Sequence, residues 1–384
     1  MIYLNNAATT IRKPPAVTEA VVAALAGAGS CSRGASTSDL VAARSVASAR
    51  VRLARLIGFA HPERVAFTQN ATMALNTALF GMLHEGDHVI TTDFEHNSVL
   101  RPLHELERRG VIELDYVRAD ASGRLRMEEL EGLFRPTTRA VVATHASNLT
   151  GAVTDVPELV RAAHGHGARF VLDASQTLGA LPVGMDALSI DVLCFTGHKA
   201  LMGPQGTGGL AVVPDLELAP FVHGGTGVKS ADPFQPMSYP EHLEAGTMNA
   251  HGLAGLDAAL EFLLELGVER VAEHDRKLRE RFIQGVSSIP GIVVHGDRDG
   301  HGHTGVVALN LEGIDSSSLA DRLACEYDIA TRAGLHCAPR MHAALGTLER
   351  GAVRFSFGWY TTEDDIDAAI FALRDIACNL CDDR

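Results

Sequence analysis

Basic charge, cysteine and long apolar runs are all scarce in this sequence. Lys and Arg number 33 against 47 Asp and Glu, and the net charge of -14 works against nonspecific binding to nucleic acid or to anionic membrane surfaces. Nowhere do about eighteen apolar residues run together, so no membrane-spanning helix is expected. The start, Met1-Ile-Tyr-Leu-Asn-Asn6, has neither the basic stretch nor the apolar stretch of a secretory signal. Six cysteines in 384 residues, at positions 31, 194, 325, 337, 378 and 381, are too few for a disulfide framework and suit a reducing compartment. The expected address is cytoplasmic. With nucleic acid and membrane set aside, chemistry on a small-molecule substrate becomes the default.

What is present is ordinary globular composition, 46% hydrophobic and 21% charged, in a chain long enough for two domains. Tyr3 to Thr10 reads as a lead-in segment lining a site, closed by Pro14-Pro15 before an Ala/Val-rich helix at 16–26. A Gly/Ser-rich stretch, Gly27 to Ser38, leads to an amphipathic helix at 39–57. From Val65 strand and helix signals alternate, with strands at 65–68, 88–92, 112–117, 139–144, 169–173, 190–195 and 208–213 and helices between them at 97–109, 126–134 and 155–166. That alternation predicts an α/β fold with a mostly parallel sheet covered by helices on both faces, whose ligands lie beyond the carboxyl ends of the strands. Pro214 to Pro240 reads as a long irregular excursion, and helices are expected at 251–266 and 268–286. Past Pro290, short strands at 292–295, 304–311, 328–332 and 352–357 alternate with helices at 316–326 and 363–379. The expected division is a large α/β domain over 16–250 and a smaller α+β domain formed by 1–15 and 251–384.

Ile190 to Gly209 carries the clearest chemical signal. An apolar strand stops at Thr196-Gly197 and delivers His198 and Lys199 into small and apolar surroundings, with no acidic neighbour in sequence for the lysine. Desolvation lowers an amine's pKa and makes it a candidate nucleophile, the alternative being a surface lysine on a loop. The Gly203 to Gly209 loop lacks the Lys-Ser/Thr tail and the following helix of a P-loop, which excludes the nucleotide reading. Asn70-Ala71-Thr72 opens a helix straight after a strand, where free N–H groups suit a phosphate and an ordinary N-cap is the alternative. Phe170-Val-Leu-Asp173 ends a buried strand in a carboxylate, and Thr144-His145 and Glu95-His96-Asn97 bring imidazole and amide groups to the same rim.

A lysine, a strand-end acid, a helix start for phosphate and a strand-end histidine form the set that pyridoxal 5'-phosphate needs. Asp173-Ala-Ser-Gln176 followed by Thr196-Gly-His-Lys199 resembles the class V aminotransferase group of fold-type I enzymes, in particular the cysteine desulfurase and selenocysteine lyase family. The resemblance extends from Tyr3-Leu-Asn-Asn-Ala-Ala-Thr-Thr10 to Arg354-Phe-Ser-Phe357 and Glu363-Asp-Asp-Ile-Asp367. It implies that Lys199 carries the cofactor covalently and later moves the substrate Cα proton. It implies also that Asp173 keeps the pyridine nitrogen protonated and that His96 stacks on the ring. Ala71, Thr72, Thr196 and His198 then bind phosphate, and Gln176 and Asn148 sit near the phenolic oxygen or the substrate carboxylate.

Thr247, in Leu243-Glu-Ala-Gly-Thr247, resembles the threonine that reaches the phosphate of a partner subunit, which implies a homodimer with shared sites. Thr331-Arg-Ala-Gly-Leu-His-Cys337-Ala338 resembles the loop of the persulfide-forming cysteine, and Arg354 the bidentate clamp on the substrate carboxylate. The implied reaction converts L-cysteine, or L-selenocysteine, to L-alanine and passes the sulfur to an acceptor protein, as in iron–sulfur cluster assembly. An aminotransferase, lyase or epimerase in which Cys337 is incidental remains the alternative. The chain departs from the family at Asn5, at Ser30-Cys31-Ser32-Arg33-Gly34 and at Trp359 and Thr361, all near the substrate entrance. Cys378-Asn-Leu-Cys381 has no second ligand pair for zinc and reads as exposed tail cysteines, whereas Cys194 and Cys325 read as core.

Overall fold

The computed structural model describes residues 1–31, 34–296 and 302–382, so Ser32 and Arg33 of the Gly/Ser-rich turn lie outside the described residues, as does the side chain of Cys381. In chain order the first elements are β1 (Ile2–Tyr3), α1 (Pro15–Gly27), α2 (Thr37–Leu56), β2 (Val65–Thr68), α3 (Ala71–Met82), β3 (Asp87–Thr92) and α4 (Asn97–Arg108). There follow β4 (Ile112–Val117), α5 (Leu130–Leu133), β5 (Thr138–Thr144), α6 (Val156–Gly165), β6 (Arg169–Asp173), β7 (Val192–Thr196) and β8 (Gly208–Val212). After 213–249, which contain neither helix nor strand, come α7 (Ala250–Leu266), α8 (Val268–Val286), β9 (Ile292–His295), β10 (Val306–Leu311) and α9 (Ser316–Tyr327). The chain closes with β11 (Ile329–Ala330), β12 (Arg332–Gly334), α10 (Pro339–Ala344), β13 (Ala352–Ser356) and α11 (Glu363–Asp382).

Seven strands form the large sheet in the order β2-β8-β7-β6-β5-β3-β4. All contacts are parallel except those of β8, which runs against both β7 and β2. Period-two alternation sends Val141, Phe170, Leu172 and Phe195 into one apolar cluster and Val142, Val171, Val192 and Cys194 into another. Both faces of the sheet are thereby covered, as near-continuous apolar strands require. The parallel register brings Thr92, Thr144, Asp173 and Thr196 to one rim, the carboxyl ends of β3, β5, β6 and β7.

A second sheet, β12-β13-β10-β9, is antiparallel and packs with α8, α9 and α11 around Leu278, Phe282, Leu309, Leu323, Phe355 and Leu373. The N-terminal segment ties the two sheets together. β1 pairs with β11, Ser356 N donates to Leu4 O at 2.7 Å, and the chain then crosses to the rim of the large sheet. Leu253, Leu256, Leu260 and Leu263 of α7 belong to the large sheet's cluster, and α7 packs on α1 and α2. Among the described residues no helix is long and apolar enough to cross a membrane.

Three expectations need correction. The helix expected at 126–134 is a 3-10 turn followed by the single turn α5. The strand expected at 328–332 begins only at Ile329, because Asp328 is left-handed at φ 55°, and it breaks at Thr331 into β11 and β12, which serve two different partner strands. Cys325, expected in the core, is exposed: it lies on the outer face of α9, whose buried stripe is Ser316, Leu319 and Leu323. Cys194 is buried and Cys378 is exposed, as expected.

Candidate active site

The carboxyl rim of the large sheet, the N-terminal segment and β12 and β13 of the second sheet enclose a cavity of about 200 Å³. Lys199, Asp173, His96, Asn148 and Gln176 line it, together with Ala71, Thr72, Thr196, His198 and Arg354. Residues separated by up to 347 positions in sequence, from Ala7 to Arg354 (354 − 7), are thus brought to one wall. Thr247 is not among them. It is exposed and lines a separate pocket with Met73 and Thr77, on the far side of the start of α3.

Lys199 is delivered by the sharp exit from β7, where Thr10 Oγ1 donates to its carbonyl at 2.6 Å and Thr10 N to that of His198 at 3.0 Å. The lead-in segment therefore forms part of the wall, through Ala7 and Ala8. Burial lowers the Lys199 ammonium to a pKa of about 8, with Arg354 and Arg332 pushing further down and Asp173 and Cys337 opposing. Asp173, 2% exposed, accepts at Oδ1 from Ser175 N at 2.9 Å and from the Ser175 hydroxyl. Nearby Glu95, fully buried, is raised to about 8 by desolvation and so is a neutral acid at pH 7. It takes Thr92 Oγ1 at 2.6 Å and Thr144 N at 2.9 Å, fastening β3 to β5 below the site.

His96 caps α4, and its Nδ1 accepts from Ser98 N at 3.0 Å. An accepting Nδ1 puts the proton on Nε2, and burial, with Lys199 adding to it, holds the ring neutral with a pKa of about 4. At the start of α3, Asn70 Oδ1 caps Met73 N at 2.9 Å, which leaves the N–H groups of Ala71 and Thr72 at the cavity. Gly208 permits this closeness, since a Cβ there would stand 2.7 Å from the Asn70 backbone. His145, by contrast, pairs with Thr177 Oγ1 at 2.8 Å and is absent from the cavity wall.

Arg354, 1% exposed, sits on β13 and donates through Nη1 to Asn148 O at 2.9 Å and through Nη2 to Asn5 Oδ1 at 3.2 Å. Burial and the facing Arg332 lower its pKa to about 9, so an incoming carboxylate relieves an uncompensated charge. Asn148 donates to His336 O at 2.6 Å, which places the Cys337 loop against the same wall. Cys337 is half-buried, free and left-handed at φ 56°, and close enough to Lys199 to affect its charge. Sequence reasoning missed Arg332, which lines the cavity, and Ser98, whose Oγ lies 2.8 Å from Thr72 Oγ1. The alternation of β12 was the available signal for Arg332.

Three buried polar atoms of this wall have no partner among the described residues: Thr196 Oγ1, Asn148 Oδ1 and Arg354 Nε. With the free N–H groups of α3 and the unpaired amine of Lys199, they offer donors to a phosphate, an acceptor and donors to polar ring substituents, and a nucleophile to an aldehyde. Such open valences fit pyridoxal phosphate.

The family model for class-V aminotransferases matches residues 2–369. A probable cysteine desulfurase of Methanothermobacter thermautotrophicus is 36% identical over 98% of this chain and 94% of its own length. The cysteine desulfurase of Haloferax volcanii is 31% identical over 97% of this chain and 88% of its own. Among solved structures, the apo cysteine desulfurase of Thermococcus onnurineus superposes with a TM-score of 0.93 at 30% identity, covering 98% of this chain and 95% of that one. The Escherichia coli cysteine desulfurase CsdA gives 0.89 at 29% identity, covering 99% and 95%.

Proposed function

The chain belongs to the class-V aminotransferase family, and on that premise we propose that it is a pyridoxal 5'-phosphate-dependent cysteine desulfurase. It converts L-cysteine to L-alanine, holds the sulfur as a persulfide on Cys337 and passes it to an acceptor protein. The observation that carries the reading is a free, half-buried Cys337 held beside the Lys199 cavity by Asn148.

When bound, pyridoxal phosphate supplies an electron sink that acidifies the substrate Cα–H and accommodates electron pairs during bond cleavage. Lys199 holds the cofactor through its amine and shuttles the Cα proton, a role suited to an amine whose pKa is about 8. Asp173 would keep a proton on the ring nitrogen, and His96, on the same cavity wall, would help to hold the ring. The N–H groups of Ala71 and Thr72, with Thr196 and His198, hold the phosphate, and Gln176 and Asn148 orient the ring oxygen and the substrate. Arg354 clamps the substrate carboxylate. The Cys337 thiolate attacks the substrate Sγ: an S–S bond forms, the Cβ–S bond breaks, its electron pair stays with carbon, and protonation there leads to L-alanine.

The exposure of Thr247, away from its own cavity, supports a homodimer in which it serves the partner's phosphate. The proposed division is a large α/β domain over 16–250 and a smaller α+β domain of 1–15 and 251–384, the latter joined to the large sheet's core through α7. Free thiols at Cys31, Cys325 and Cys378 support a cytoplasmic setting.

The deciding experiment measures alanine and sulfide from L-cysteine and from L-selenocysteine with wild type and Cys337→Ala. Release from cysteine that vanishes in the variant is expected. Undiminished release rejects the persulfide, and turnover of selenocysteine alone assigns the lyase reaction instead.

A further inference from the structure

Cys337 and the residue before it share a conformation that neither favours alone. His336 is at φ 53° and Cys337 at φ 56°, two successive left-handed residues with side chains, a conformation L-residues rarely adopt. Their carbonyls are tied down, His336 O by Asn148 Nδ2 at 2.6 Å and Cys337 O by Asn97 N at 2.8 Å. The His336 ring, 3% exposed, faces away from solvent and continues into a second imidazole.

His336 Nε2 lies 3.0 Å from Arg332 O, and its Nδ1 lies 3.5 Å from Nε2 of His342, whose ring is nearly parallel at 10°. His342 Nδ1 is 2.8 Å from Thr347 Oγ1, and both His342 and Thr347 are completely buried. The donors follow from one fixed end. A carbonyl only accepts, so His336 Nε2 carries the proton and its Nδ1 is a bare acceptor. His342 Nε2 must then donate to it, its own Nδ1 must accept, and the Thr347 hydroxyl is the donor. The opposite assignment sets two lone pairs against each other.

We propose that Thr347, His342 and His336 form a directed hydrogen-bond chain that holds the Cys337 backbone in its left-handed, sulfur-accepting position, with His342 as the positioning residue. Burial supports it, lowering His336 to a pKa of about 3 and His342 to about 4, so both rings are neutral as the chain requires. The chain roots the thiol in α10 and the 345–351 turn through His336, which also lines the Lys199 cavity. The inference rests on Cys337 being the thiol that takes the sulfur.

The test uses the holoenzyme and two readouts, turnover of L-cysteine and the rate of iodoacetamide alkylation of Cys337, followed by mass spectrometry of its peptide. In His342→Leu, kcat is expected to fall about tenfold with KM little changed, and alkylation to quicken about threefold, while cofactor absorbance stays that of wild type. His342→Gln keeps an amide donor near the Nε2 position and restores kcat to within about threefold. Thr347→Val, nearly isosteric, shows the same pattern more weakly and decides the matter where His342→Leu does not fold. Wild-type kcat and alkylation in His342→Leu, or in Thr347→Val should the former not fold, overturn the proposal; so do equal losses in the Leu and Gln variants. Cys337→Ala run alongside separates the two ideas: retained desulfuration there removes the parent reading whatever the His342 variants do.

Discussion

Lys199 shows how much of a site one residue's surroundings decide. Its position after an apolar strand was legible because strand, glycine and lysine are adjacent in sequence, and Asp173, Thr72 and His96 were legible for the same local reason. The lead-in segment with Asn5 and Thr10 was legible as lining a site, but its contacts were not, nor was Arg332, since each acts only after folding: Thr10 on the Lys199 carbonyl, Asn5 on Arg354, Arg332 as a cause of the lowered pKa at Lys199. That lowered pKa yields a prediction at the same scale. Only the free amine reacts with an aldehyde, and with a pKa of about 8 the reactive fraction grows as pH rises through 8 rather than through the ordinary 10.5. Apoenzyme mixed with pyridoxal phosphate should therefore load with a rate whose pH midpoint is near 8, read by absorbance. A midpoint above 10 excludes the desolvated lysine, and Lys199→Ala should show no such phase.

At the scale of elements, α8 carries an acid that the proposed mechanism does not use. Asp275 is 5% exposed, its Oδ1 has no partner, and it borders a small cavity shared with Lys199, Gln176 and Thr304. Burial alone raises it to about 7 from an ordinary 3.8. The folded chain then binds this proton more tightly than the unfolded one, so the contribution to stability is present below pH 3.8 and is lost as pH rises through about 7. Asp275→Asn removes that loss. Its melting temperature should match wild type at pH 4 and exceed it by about 3 °C at pH 8. Equal shifts at both pH values would mean that packing, not ionisation, sets the cost. The sequence places Asp275 in a strongly charged helix, where its burial is invisible: only the backbone at Gly305, just before β10 and packed against its side chain, reveals it. α10 was hidden for a related reason, being a six-residue helix after Pro339 with too few turns for a readable period.

The whole molecule is where the sequence spoke through resemblance more than through physics. Nothing in the composition of 213–249 says what that stretch serves, and within one chain Thr247 stands exposed, apart from the cavity that holds Lys199. What the fold does show is how the segment is anchored. Glu244 pairs with Arg50 at 2.8 and 3.0 Å and takes Phe67 N at 2.7 Å, a buried clamp three residues before the exposed threonine. A threonine presented outward on so firm a mount suits a site on another subunit, and mixed dimers make that arithmetic visible. On the proposed shared-site dimer, Lys199→Ala kills the site of its own chain, whereas Thr247→Val weakens the phosphate pocket of the partner. In a mixed dimer the intact Lys199 of one chain receives the intact Thr247 of the other, so one site is whole. Random exchange makes about half of the dimers mixed, each with one working site of two, and desulfuration should recover to about a quarter of wild type at limiting cofactor. If Thr247 instead serves its own chain, each chain in the mixture keeps its own defect, and activity stays at the average of the two parents.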